Sequence, residues 1–296
     1  MRIIPQRLRR GDTIGIIAPA GPVTPDEIQP AINILKDKGY RVKEGINLYK
    51  RQGYLAGSDK ERLHDFHEMF QDNTVKAVFC ARGGYGTSRL LDKISFKIVE
   101  ENPKFFIGYS DITALLLAIN HMTGLVVCHG SMARNIEGYK DNINSILKLL
   151  SSEDNTHVKL SADNVLKKGK AAGKLLGGNL SIISSLSGTS FLPSFKECIL
   201  FIEERGEALY RIDRMLTQLK LGGALDGIKG IIAGNFQDCE AISEINRLLL
   251  DIFSQNCPVY SGFPAGHGKV NLPILFGVEA EMDTEKLDFT VKTFTD

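Results

Sequence analysis

Phe105-Phe106-Ile107-Gly108-Tyr109-Ser110-Asp111-Ile112-Thr113-Ala114-Leu115-Leu116-Leu117-Ala118-Ile119 decides how this chain folds. A short apolar run stops at Gly108, a polar Tyr109-Ser110-Asp111 corner follows, and a long amphipathic helix is expected to start at once. That is the pattern of a buried strand handing over to a helix. A serine at such a corner projects its hydroxyl from the sheet edge, beside the unpaired N–H groups and positive dipole end of the helix. Those surroundings suit a serine nucleophile, whose attack builds an oxyanion next to its own backbone amide. They suit a plain helix cap equally well, since Ser and Asp both favour that position. The corner alone leaves both readings standing.

Just upstream, the strand pattern at 75–80 runs straight into Ala81-Arg82-Gly83-Gly84-Tyr85-Gly86-Thr87-Ser88, with a helix expected from Arg89. Strand, glycine-rich loop and helix is a layout in which backbone amides approach an anion closely. The spacing is neither G-x-G-x-x-G nor a P-loop, so a nucleotide phosphate is a weak match. An alternative use of the loop is to place an amide of Gly83 or Gly84 opposite Ser110 as the second oxyanion donor. Arg82 leads this loop, and its guanidinium fork fits a substrate carboxylate; pairing with Asp111 to brace the loop is the competing use.

Further upstream lie a strand at 12–19, a helix capped at Thr24 with Pro25 in its first turn, and a strand at 41–46. A capping box at Ser58 and Glu61 opens a helix whose buried face is read as Leu63, Phe66, Met69 and Phe70. His64 and His67 share that helix, but no third metal ligand has suitable spacing. Downstream, residues 125–128 form a strand and 141–150 a helix. Cys128 and His129 are adjacent, so on a strand they face opposite ways and make a poor dyad. Strands alternating with helices imply an α/β layer with a mostly parallel sheet, whose ligands collect beyond the carboxyl ends of the strands. Loops 81–87 and 109–111 are both such ends and are expected to be neighbours.

Residues 151–170 turn polar and lose periodicity, which reads as a connection into a second domain. There, Gly177-Gly178-Asn179 reads as a tight turn, 198–202 as a buried strand ending on Glu203-Glu204, and 210–221 as a helix. A strand at 228–234, a helix at 242–253 and closing strands near 273–281 and 287–294 complete the pattern. Glu203 and Glu204 alternate on an extended strand, so one can look inward while the other is solvated or paired with Arg205, Arg211 or Arg214. His267, between Gly266 and Gly268, sits in a loop expected to expose its imidazole. Serine, carboxylate and histidine are the three parts of a serine hydrolase site.

Composition narrows the field. The chain of 296 residues is long enough for two domains, and 43% hydrophobic with 24% charged residues is ordinary for a soluble protein. A net charge of +1 offers no electrostatic footprint for nucleic acid or an acidic membrane. Five scattered cysteines without a C-x-x-C pair read as reduced thiols. With neither a signal-peptide pattern nor a membrane-length apolar run, a cytoplasmic location is expected.

Taken together the motifs identify a family. Gly11-Asp12-Thr13-Ile14-Gly15-Ile16-Ile17-Ala18-Pro19-Ala20, A-R-G-G-Y-G at 81–86, G-Y-S-D-I-T at 108–113 and G-G-N-L at 177–180 stand in order with I-E-E-x-x-E at 202–207, Y-R-I-D-R-M-L at 210–216 and G-x-P-x-G-H at 262–267. The chain resembles the LD-carboxypeptidases, the serine peptidases that include muramoyl-tetrapeptide carboxypeptidases and microcin-immunity peptidases. The resemblance implies a flavodoxin-like parallel-sheet domain (1–165) carrying the nucleophile and a second α/β domain (171–296), with the active site at their interface in a homodimer. It places the nucleophile on Ser110, the carboxylate on Glu203 and the base on His267. Gly84 and Asp111 are expected as oxyanion donors, and Arg82 and Asn179 as substrate contacts. The implied reaction releases the terminal D-alanine of a murein tetrapeptide at an L,D bond during cell-wall recycling, with no cofactor or metal. Detoxification of a microcin-type peptide antibiotic is the sibling reading, and a non-catalytic nucleotide-binding α/β protein the rival.

Overall fold

In the computed structural model, residues 2–135, 140–253 and 257–292 are described. The chain forms two compact units: one of residues 1–152 with 272–274, the other of 153–271 with 275–296.

In the first unit, β1 (Thr13–Ile17), α1 (Pro25–Asp37), β2 (Arg41–Glu44), α2 (Asp59–Gln71), β3 (Val75–Cys80), α3 (Phe96–Glu101), β4 (Phe105–Gly108), α4 (Thr113–Thr123), β5 (Val127–His129) and α5 (Lys140–Ser151) alternate, and of these only α3 lies where no helix was expected. The strands lie in the order β2-β1-β3-β4-β5 and run parallel. This is the flavodoxin-like order, in which all strand carboxyl ends share one edge. Central strands buried on both faces must be apolar throughout, and β1 and β4 are buried at every position. The core beneath is aromatic: Phe66 meets Phe70 and Phe106 with ring centroids 4.9 and 5.6 Å apart.

Three local expectations are corrected here. α4 is not amphipathic; residues 113–120 are all buried, as in a helix covered on every side. Residues 87–93 form two 3₁₀ turns rather than a helix. On α2 the inward residues are Arg62, Asp65, Phe66, Met69 and Phe70, so Leu63 was a wrong choice and two charged residues take the inward face.

In the second unit, β6 (Thr156–Lys159), β7 (Val165–Lys167), β8 (Lys170–Asn179), α6 (Leu180–Ser185), β9 (Cys198–Arg205), α7 (Leu209–Leu221), β10 (Gly230–Gln237), α8 (Ile242–Ile252), β11 (Val259–Tyr260), β12 (Ile274–Phe276), β13 (Glu279–Asp283) and β14 (Asp288–Val291) follow. Ile274, the first residue of β12, belongs to the first unit, where this strand takes the edge beside β5. The second sheet has the order β6-β14-β13-β8-β9-β10-β11-β7, parallel from β8 to β11 and antiparallel outside them. The polar stretch read as a connection therefore contains both outermost strands. Edge strands need no continuous apolar run, and β6 alternates between half-buried and exposed. Gly177 and Gly178 lie within β8, not in a turn; both take positive φ where the strand passes close to the β9 backbone. The last two residues of the strand expected at 287–294 fall outside the described residues.

Candidate active site

The serine corner is built by the end of β4. Ser110 takes φ +63°, a left-handed conformation that few non-glycine residues adopt. Residues Ser110–Ile112 form one 3₁₀ turn before α4 begins. Neither Ser110 nor Asp111 caps the helix; its N-cap is Ile112, without a side-chain bond. The Asp111 carboxylate turns to the glycine loop instead, accepting the Thr87 N–H at 3.0 Å, while the Thr87 hydroxyl donates to the Asp111 carbonyl at 2.6 Å. Burial pushes the Asp111 carboxyl up, against the downward pull of the Thr87 and Gly86 donors and the Arg62 charge.

Loops 81–87 and 109–111 are thus neighbours. A Cβ added to Gly83 would stand 3.1 Å from Ser110 Cβ and 3.2 Å from its Oγ, so any larger residue would crowd the serine and push the loop or the serine by a few tenths of an ångström. The Gly83 carbonyl accepts the Gly21 N–H at 3.0 Å, which joins the loop after β1 to the pair. Among the described residues, the amide of Gly84 has no backbone acceptor. Arg82 does not pair with Asp111. It donates to the Pro22 carbonyl at 3.1 Å, and among the described residues no carboxylate forms an ion pair with it. Burial, with the nearby Arg134 charge, lowers the proton affinity of its guanidinium.

The second unit holds the carboxylate and the histidine. Glu203 is fully buried at the end of β9, and its Oε2 lies 2.6 Å from His267 Nδ1. Its Oε1 has no hydrogen-bond partner among the described residues. Glu204 points to the other face, as strand alternation requires. There it accepts Asn179 Nδ2 at 2.9 Å, the Ser181 N–H at 2.7 Å and the Arg205 N–H at 2.9 Å. Burial pushes the Glu204 carboxyl up.

The loop around His267 does not display the ring to solvent: the side chain keeps only 10% of its exposure. It delivers the ring to Glu203. Gly266 takes φ +105°, and a Cβ there would come within 2.7 Å of Glu203 Oε2, so both conformation and space demand glycine. The Gly266 N–H donates to Asn271 Oδ1 at 2.9 Å, fixing the turn. Asn179 is 4% exposed, and its amide oxygen accepts from Ser181 Oγ at 2.7 Å while its nitrogen serves Glu204.

These features match a known group of proteins. The LD-carboxypeptidase N-terminal domain model matches residues 14–130 and the LD-carboxypeptidase C-terminal domain model residues 172–282. A probable murein peptide carboxypeptidase of Bacillus subtilis (strain 168) is 42% identical over 292 residues, spanning 95% of this chain and 91% of that protein. The chain belongs to the LD-carboxypeptidase family. Among solved structures, an MccF-like protein from Bacillus anthracis has a TM-score of 0.90 at 29% identity, covering 99% of this chain and 100% of that one. The muramoyltetrapeptide carboxypeptidase from Oxalobacter formigenes has a TM-score of 0.84 at 32% identity, covering 94% and 97%.

Elsewhere in this carboxypeptidase, no described helix is long and apolar enough to cross a membrane. No group of three His, Cys, Asp or Glu among the described residues could hold a metal ion. His67 Nε2 accepts the Ser95 N–H at 3.0 Å, and His64 lies 3.6 Å from the Asp65 carboxylate. The expectation from sequence missed Thr87, which locks the two loops together, and Asn271, which fixes the histidine turn. Neither carries a local signal, since each acts through a partner far away in the chain.

Proposed function

We propose that this protein is a serine carboxypeptidase that releases the terminal D-alanine of murein tetrapeptides at an L,D bond. The buried Glu203–His267 pair carries this reading. An imidazole held at Nδ1 by a carboxylate is oriented and tautomerically fixed to act as a general base through its other nitrogen. In the proposed mechanism His267 takes the proton of Ser110 as Oγ attacks the carbonyl carbon of the scissile bond. The amides of Gly84 and Asp111 hold the oxyanion, in keeping with the absence of a backbone acceptor for the Gly84 amide among the described residues. D-alanine leaves with the proton from His267, and water then cleaves the acyl-serine by the same route in reverse. Arg82 is proposed to hold the terminal carboxylate. Asn179, expected on the substrate, is better placed as a brace for Glu204. A cytoplasmic recycling role and a homodimer belong to the same proposal.

Membership of a carboxypeptidase family, with names that refer to murein peptides, supports this substrate over a peptide antibiotic or a nucleotide. The test is a mass-spectrometric assay on purified murein tetrapeptide. Ser110→Ala and His267→Ala should each cost about four to six orders of magnitude in turnover, and the double variant little more. Roughly additive losses would sink the triad. Efficient release of an amidated or L-configured terminal alanine would sink the L,D-carboxypeptidase assignment.

A further inference from the structure

α2 carries a charge that the reaction described above does not use. Arg62 is 1% exposed, on a helix face shared with Asp65, Phe66, Met69 and Phe70. Burying a guanidinium is costly unless it is paired and hydrogen-bonded, so its partners are informative. Nη2 pairs with Asp59 Oδ1 at 2.6 Å, and Nη1 donates to the carbonyls of Pro19 and, at 2.9 Å, of Gly86. Asp59 is itself gripped by Arg89 and Lys93, each at 2.9 Å, which hold its carboxyl far below the usual range.

The two carbonyls belong to the loops that follow β1 and β3. Gly86 takes φ +133°, and a Cβ there would come within 2.9 Å of Arg62 Nη1, so the glycine loop folds directly onto the guanidinium. Next along the chain, the Thr87 N–H grips the carboxylate of Asp111, the residue after Ser110. The single peptide between Gly86 and Thr87 is therefore held at its carbonyl by Arg62 and at its N–H by Asp111. Between Arg82 and Thr87 the loop contains three glycines, which restrict φ least of all residues. Oxyanion donors act only if their geometry is set before the charge develops.

We infer that Arg62, anchored by Asp59, is a positioning residue that fixes the glycine loop through the Gly86 carbonyl and so presets the Gly84 and Asp111 amides for the oxyanion. The inference rests on the proposed roles of Ser110 and those two amides. A planar fork that reaches two loops and a carboxylate at once is a geometry that lysine cannot reproduce.

The test uses the full chain, murein tetrapeptide, and Arg62→Lys beside Ser110→Ala. Arg62→Lys should lower kcat by about 10- to 100-fold while KM moves by less than about 3-fold, the mark of an interaction realised in the transition state. Affinity for a peptide boronic acid, which mimics the tetrahedral intermediate, should fall in parallel with kcat, while the tripeptide product binds as before. Active sites are counted by fluorophosphonate titration, so that loss of folded protein is not mistaken for loss of rate. Wild-type kcat per titrated site in Arg62→Lys overturns the inference, because a purely structural role predicts that result. If Arg62→Lys yields no folded protein, Asp59→Asn decides: a kcat loss at constant KM supports the clamp, and an unchanged kcat overturns it. Turnover by Ser110→Ala would instead break the serine reading beneath it, whatever the Arg62 variants do.

Discussion

Glu203 and Glu204 are neighbours in sequence with unlike surroundings, and substitution should separate them. Glu203 touches His267, whereas Glu204 receives three donors from Asn179, Ser181 and Arg205. Glu203→Gln should leave the melting temperature nearly unchanged and lower kcat by about three to four orders of magnitude, as loss of an orienting carboxylate does in other triads. Glu204→Gln turns an amide NH2 toward backbone N–H groups and should cost about 1–3 kcal/mol of stability, with kcat per folded molecule close to wild type. Its pH dependence has a definite sign. Burial raises the Glu204 pKa, so the folded state binds the proton more readily than the unfolded chain. Stability from this group is therefore present below the unfolded value of about 4.3 and declines as pH rises through the folded one. Glu204→Gln should remove that slope in urea titrations. A catalytic loss in Glu204→Gln with Glu203→Gln fully active would transfer the orienting role to Glu204.

At the level of the element, the turn from β4 to α4 stores backbone strain where the proposed nucleophile sits. A non-glycine residue at φ +63° pays for its Cβ, and the hydrogen bonds between Thr87 and Asp111 hold the turn in place. Ser110→Gly and Ser110→Ala should both be inactive, yet the glycine variant should be more stable than the alanine variant by about 1 kcal/mol. Equal urea midpoints would mean that the turn is relaxed. Sequence periodicity located β4 and α4 but misjudged the helix as amphipathic. Burial of Thr113 and Asn120 beside the leucines comes from neighbours on every side, which a pattern within one helix does not report. The same limit hid Arg62. Its spacing to Phe66 and Met69 puts it on their face, but a charged residue is assigned outward unless its distant partners are known.

On the scale of the whole molecule, the two units are not two consecutive pieces of chain. Residues 272–274 return to the first unit, where β12 takes the edge beside β5. A fragment of residues 1–152 would lack that strand and leave the outer edge of β5 unpaired. It should bind a hydrophobic dye and self-associate, as light scattering would show; a monomeric, cooperatively melting fragment would mean that β12 is dispensable to the first unit.

The sequence by itself determined the class of fold, the order of the first unit's elements apart from the helix between β3 and β4, and the family, because those rest on local periodicity, turn residues and motifs that need no partner. It also determined that Glu203 and Glu204 face opposite ways, since side chains alternate on any strand. Alternation alone did not say which of the two meets His267; the resemblance pointed to Glu203, and the contact itself is made in the tertiary structure, through a loop at 262–268 that crosses to the end of β9. The outermost strands β6 and β7 were likewise invisible in a polar stretch, because an edge strand is defined by its pairing rather than by its composition. The buried Arg62–Asp59 pair and its grip on two loops belong to the same class: long-range electrostatics and backbone carbonyls leave no period in the chain.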